Sequence, residues 1–354
     1  MAGEMNRKLV LENGEEYLGW GFGAACDRVC ELNFATAVVG YQELVTNPAL
    51  TDQMVVMTYP LIGNYGMTDE DDESSRPSLG ALVVRDYCDA PSNFRCTRTL
   101  SEVLEEAGVP GIYGVDTRAI TRSIRDHGGS KAILCHISMP TDRALEILRQ
   151  TNLSLGRVAK VSCKKPRYVR TANHRFHVVA LDCGIQKSLV TDLKASGCNV
   201  TIVPWNTEAS AIEALKPHGL LVSDGPGDPN QVSLVAETLA KLRGKFPIFG
   251  LGLGCQLIAM SYGAAVHPVN FRRITSHPIR CMETKAITIA SQNLCYSTDP
   301  KSLEGKDLTI TYENVLDGTV EGLMDASNHV SGVQFYPEGQ LLLARFLNEM
   351  KEAN

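Results

Sequence analysis

An α/β fold in two parts is the expectation for this chain: a mixed α/β domain first, then a doubly wound parallel sheet. Three observations predict it. The length of 354 residues exceeds what one hydrophobic core usually fills, since single cores stop growing before ~300 residues. The first part carries short apolar stretches separated by turn residues. From residue 177 onward, apolar strands alternate with helical stretches, which is the pattern of a parallel sheet with helices on both faces. The expected limits are a first domain at 1–150, a linker at 151–176 and a second domain at 177–354.

The elements follow in order. Residues 8–12 read as a strand that turns at Asn13-Gly14, a strong hairpin signal. Residues 31–36, 53–59 and 79–85 are further strand candidates, with the acidic loop 69–75 between the last two. A helix is expected from Thr99, where acidic residues in the first turns suit the helix dipole. Another is expected from Thr117 to about Asp126. The polar, basic stretch 160–175, with Pro166, reads as the interdomain connection. Beyond it come strands at 178–182, 200–204, 219–223 and 247–249. Helices at 185–196, 209–216 and 232–242 separate them, the first ended by Gly197. In such sheets the ligand crevice lies beyond the carboxyl ends of the strands. The loop Asp224-Gly-Pro-Gly-Asp-Pro229 and the glycine turn after 247–249 both lie there.

Bulk properties exclude several classes. A net charge of −6 and the lack of a basic tract argue against nucleic-acid binding. No apolar run approaches the ~18 residues of a membrane helix, and the polar N-terminus around Glu4 does not read as a signal peptide. The eleven cysteines are scattered and none forms a CxxC pair, which fits a reducing cytoplasm better than a disulfide scaffold.

The chemistry-bearing stretch is Pro247-Ile-Phe-Gly-Leu-Gly-Leu-Gly-Cys-Gln-Leu257. A strand, a glycine turn and a helix start make the layout of a nucleophile elbow, in which a reactive side chain sits on a sharp turn at a sheet's edge. The central position of Gly250-x-Gly252-x-Gly254 is itself glycine. The spacing is not that of a dinucleotide-binding loop, so no such cofactor is expected.

Together these segments resemble the small subunit of carbamoyl-phosphate synthetase, a class I glutamine amidotransferase, over nearly the whole chain. In the first domain the resemblance rests on Val39-Gly-Tyr-Gln-Glu-Leu44, Thr58-Tyr-Pro-Leu-Ile-Gly-Asn-Tyr-Gly66 and Gly114-Val-Asp-Thr-Arg118. In the second it rests on Ser223-Asp-Gly-Pro-Gly-Asp-Pro-Asn230, the elbow, Ser291-Gln-Asn293 and Val333-Gln-Phe-Tyr-Pro-Glu338. It implies a small-subunit domain followed by an amidotransferase domain. It also implies glutamine hydrolysis by a cysteine, a histidine and an orienting glutamate, with backbone N–H groups as the oxyanion hole. The ammonia serves a large synthetase subunit, in pyrimidine or arginine biosynthesis.

Carried over residue by residue, the resemblance is broken at the chemistry. Gly252 stands at the nucleophile position and Tyr336 at the histidine position, so only Glu338 of the triad is retained. The family's histidine after the elbow is Cys255, its Asn-His-Gly loop reads Asn293-Leu294-Cys295, and a substrate-contacting serine is Ala49. The tail after Glu338 runs directly into Gly339-Gln340, without the family's proline-rich continuation. The family's substrate-binding positions correspond to Ala49, Gly225, Gly227, Leu253, Gln256, Asn293, Cys295 and Tyr296. Losing a nucleophile or base from such a triad costs on the order of 10⁶-fold in rate. Tyrosine, with an unperturbed pKa of about 10, is a poor base near neutrality.

The expectation is therefore a catalytically degenerate small-subunit relative, a cytoplasmic scaffold or regulator of a synthetase large subunit, with no cofactor and no metal. Two other readings stay open. One is residual glutaminase chemistry relocated to Cys255 or Cys295. The other is a sensor of glutamine or another small molecule in the remodelled pocket. A zinc site from Cys255, Cys295 and Glu338 is the weaker explanation of those thiols. His277 and His329 read as structural or surface residues, and a Tyr336–Glu338 hydrogen bond reads as a structural pair.

Overall fold

The computed structural model describes residues 4–128, 131–153, 155–336 and 341–353, except for the side chains of 270–272, 341 and 342. Two compact units divide the chain. One comprises residues 1–155 with 270–275, the other residues 156–269 with 276–354.

In the first unit the expected hairpin forms: Arg7–Leu11 pairs antiparallel with Glu16–Gly23 across a turn at Gly14, whose φ is 92°. The pairing then closes on itself. Arg7–Leu11 also pairs with Lys131–His136, which pairs with Arg28–Ala35. The ring continues in parallel through Gln53–Met57, Ala81–Val83 and Pro110–Tyr113, and returns antiparallel to Glu16–Gly23. Closure leaves no edge in this ring. Leu9, Leu32, Met54, Val56, Leu82 and Ile112 are all buried. Leu100–Glu106 is the helix expected after Thr99, and it opens with a capping box: Thr99 accepts from the Glu102 N–H while the Glu102 carboxylate accepts from the Thr99 N–H. Thr117–His127 starts at Asp116, whose carboxylate accepts from the Ala119 N–H.

The motifs of this unit interlock. Gly40, with a φ of 84°, starts the helix Tyr41–Thr46. The Gln42 amide is buried, donates to the Thr68 carbonyl (2.6 Å) and accepts from the Thr68 N–H (2.8 Å). Tyr41 stacks on Tyr65 at 4.0 Å and donates its hydroxyl to the Gly66 carbonyl. Gln42 also donates to Asp72, which ties down the acidic loop.

The second unit contains the parallel sheet. Cys198–Pro204, Phe176–Asp182, Gly219–Val222, Ile248–Leu251 and Val330–Val333 lie side by side in that order, all parallel. Antiparallel strands extend it: Arg167–Val169 on one side, Val320–Asp325 and Thr309–Asn314 on the other. The helices Lys187–Ala195, Ala209–Ala214 and Ser233–Leu242 lie within the stretches expected to be helical. The stretch expected as a linker holds more order than a connection. Arg157–Val161 is a helix, and Arg167–Val169 pairs with Cys198–Pro204, because Val158 and Val169 have apolar partners in the cores of this unit.

Candidate functional site

The elbow is built as its sequence predicts. Ile248–Leu251 is a buried strand, and Leu253–Ser261 is a helix buried from Leu253 through Ala259. Between them Gly252 has φ 54° and ψ −114°, a conformation that strains any residue with a side chain. Its N–H donates to the Val333 carbonyl at 2.8 Å, which pins the turn to the neighbouring strand. The glycine at 254 has a packing reason, because a Cβ there would overlap the Val222 carbonyl. Gly225 is equally enclosed, since a Cβ would overlap the Cys183 carbonyl. Gly227 takes a φ of 98° in the same loop.

The position expected to project a nucleophile faces a carboxylate. A Cβ built on Gly252 would collide with the side chain of Asp224. Asp224 follows the strand Gly219–Val222 and is buried. Its Oδ1 accepts from the Gly225 N–H at 2.8 Å and from the Leu253 N–H at 2.8 Å. Its Oδ2 accepts the hydroxyl of Tyr336. Burial pushes the Asp224 carboxyl above its ordinary range, and the bonds from Tyr336, Leu253 and Gly225 oppose that rise. The Tyr336 hydroxyl thus bonds Asp224, and the Tyr336–Glu338 pair expected from the sequence involves Glu338, which lies outside the described residues.

The other expected site residues divide by environment. The Gln256 side chain donates to the Tyr296 carbonyl and to Gln334 Oε1, both at 2.9 Å, so its amide joins two neighbouring segments. Asn293, Leu294, Cys295 and Tyr296 lie in the strand Ile287–Thr298, where a loop was expected, and its Ser291 and Gln292 pair with Tyr336 and Phe335. Leu294 is buried, and the Cys295 thiol lies 3.9 Å from Asn293 Oδ1. Cys255 is wholly buried in the apolar core, and burial, with the Glu321 carboxylate adding, pushes its thiol far above the ordinary range. His277 is half-buried, with Nδ1 at 2.9 Å from Asn314 Nδ2. His329, at a turn with φ 52°, lends its carbonyl to the Ile248 N–H. Ala49 belongs to the first unit, where it sits buried in the short turn Pro48–Leu50.

Asp224 is the residue that sequence reasoning passed over. Its signal was present: an acidic residue two positions after the apolar strand Gly219–Val222, before Gly-Pro-Gly, must find hydrogen-bond donors if it is buried. Among the described residues, no group of three metal-ligating side chains is clustered, and no helix is long and apolar enough to cross a membrane.

Comparison with known proteins gives the lineage. The profile of the carbamoyl-phosphate synthase small chain, CPSase domain, matches residues 9–134, and that of the class-I glutamine amidotransferases matches residues 179–344. The carbamoyl phosphate synthase small chain of Staphylococcus haemolyticus is 41% identical over 354 residues, covering 98% of this chain and 96% of that protein. The pyrimidine-specific small chain of Halalkalibacterium halodurans is 38% identical, with 98% of each covered. The carbamoyl phosphate synthase small chain of Fusobacterium nucleatum is 39% identical, covering 94% of this chain and 93% of the relative. With the two profiles in tandem and relatives matched nearly end to end, the chain belongs to the carbamoyl-phosphate synthase small chain family.

Proposed function

We propose that this chain is a non-catalytic member of its family, a scaffold or regulator of a synthetase large subunit in the pyrimidine or arginine lineage, and that it does not hydrolyse glutamine. The observation that carries this reading is the turn at Gly252, the position where relatives are expected to hold the nucleophilic thiol. Glycine offers no nucleophile, and Tyr336 replaces the expected base. The missing groups account for roughly 8 kcal/mol of transition-state stabilisation in a triad. Burial of Cys255 and its raised thiol pKa count against relocated chemistry at that residue. The match of residues 9–134 to the small-chain CPSase domain supports a retained binding role.

The test is a glutaminase assay of the purified chain, alone and with a large subunit of the family, run beside co-purification of the two. The expected result is binding without glutamine turnover, and carbamoyl phosphate formed from added ammonia only. Turnover of glutamine above the uncatalysed rate would overturn the non-catalytic reading. Failure to bind any large subunit would overturn the scaffold role.

A further inference from the structure

A missing thiol explains an inert site but not what fills it. The two N–H groups that converge beside Gly252 are those of Gly225 and Leu253, and both donate to one oxygen of Asp224 at 2.8 Å. Convergent backbone donors at a helix start form the kind of site that stabilises an oxyanion. A carboxylate oxygen between them has the charge and hydrogen-bond demand of the tetrahedral oxyanion that amide hydrolysis forms. The second oxygen is held by Tyr336, which stands where relatives are expected to hold the base. The collision of a Cβ at Gly252 with this same carboxylate puts the nucleophile's space and the oxyanion's donors under one side chain.

We infer that Asp224 is a built-in ligand of the former active site: its carboxylate occupies the oxyanion position, is latched by Tyr336, and shuts the pocket against the carbonyl of a glutamine-like substrate. The inference rests on the non-catalytic reading and adds a cause to it. Restoring a thiol at position 252 is not sufficient to restore reactivity, because the thiol and its oxyanion donors are both obstructed.

The experiment introduces Gly252→Cys with Asp224 intact and together with Asp224→Ala. Each protein is exposed to a chloroketone analogue of glutamine, and modification of the introduced thiol is followed by peptide mass spectrometry. The plug predicts labelling faster by roughly tenfold or more when Asp224→Ala is present, since the oxyanion donors are then free. Equal rates in two variants that both unfold cooperatively would overturn it. A measurement on the unmodified chain guards against variants that do not fold: amide exchange by NMR should show Gly225 and Leu253 both strongly protected. Rapid exchange at both amides would overturn the plug. Glutamine turnover by the unmodified chain removes the non-catalytic reading. A silent natural chain with equal labelling of the introduced thiol in both variants removes the plug alone.

Discussion

The Gln42 network of the first unit and the Gly252 turn of the second make an instructive pair. In both, glycine sets the backbone: Gly40 at φ 84° and Gly252 at φ 54°. In both, buried polar groups are joined by short hydrogen bonds. Around Gln42 the side chains of one family-matching motif bond the backbone in or just beyond another: Tyr41 donates to the Gly66 carbonyl, and Gln42 bonds the Thr68 N–H and carbonyl. Around Gly252 the backbone keeps an elbow while the side chains belong to a different arrangement, with Asp224 and Tyr336 meeting across it. A catalytic-type turn therefore persists without a catalytic side chain when packing requires it. Gly254 against Val222, and the Gly252 N–H on Val333, are such packing requirements.

The largest expected effect comes from forcing a side chain into that turn. Gly252→Cys adds positive-φ strain and overpacking against Asp224, each worth roughly 1–3 kcal/mol, so a loss of about 3 kcal/mol is expected in urea unfolding. Adding Asp224→Ala should return part of that loss, and a strictly additive double variant would mean that the two side chains do not meet. Gln42→Ala tests the other region. It strands the buried Thr68 N–H and carbonyl, at about 1–3 kcal/mol for each unsatisfied group. A loss near 3 kcal/mol is expected there too, and a change below about 0.5 kcal/mol would show that the motif is not structural. Tyr336→Phe is smaller. Removing the donor to a buried carboxylate should cost about 1–2 kcal/mol at neutral pH, measured by the same unfolding.

How legible each region was follows from the same contrast. The capping box at Thr99, the Asn13-Gly14 hairpin and the alternation of strands and helices after residue 177 depend on neighbours in sequence, and each forms where expected. The closed ring of the first unit was not legible, since it requires Glu16–Gly23 to meet Pro110–Tyr113 across a long separation. Arg167–Val169 was hidden by its basic composition, because a short edge strand needs few apolar residues. The elbow backbone was readable from three glycines. Its occupant was not, because Asp224 and Tyr336 are 112 residues apart and no local pattern pairs them.

The finest test separates the plug's charge from its shape. Burial raises the Asp224 pKa in the folded protein, so the folded state holds this proton more tightly than the unfolded chain does. For a carboxyl shifted in this direction, the stabilising contribution is complete below the unfolded pKa. It is lost as pH rises through the folded pKa. Asp224→Asn keeps the shape and cannot ionise, so its stability relative to the natural chain should rise with pH from the acidic range toward neutrality. Urea midpoints at pH 4.5, 6 and 7.5 measure this trend. If the natural chain gains on the Asn variant as pH rises, the three donors hold the ionised form strongly enough to overcome desolvation. The site would then be an anion hole in the full sense, with the carboxylate as its preferred occupant.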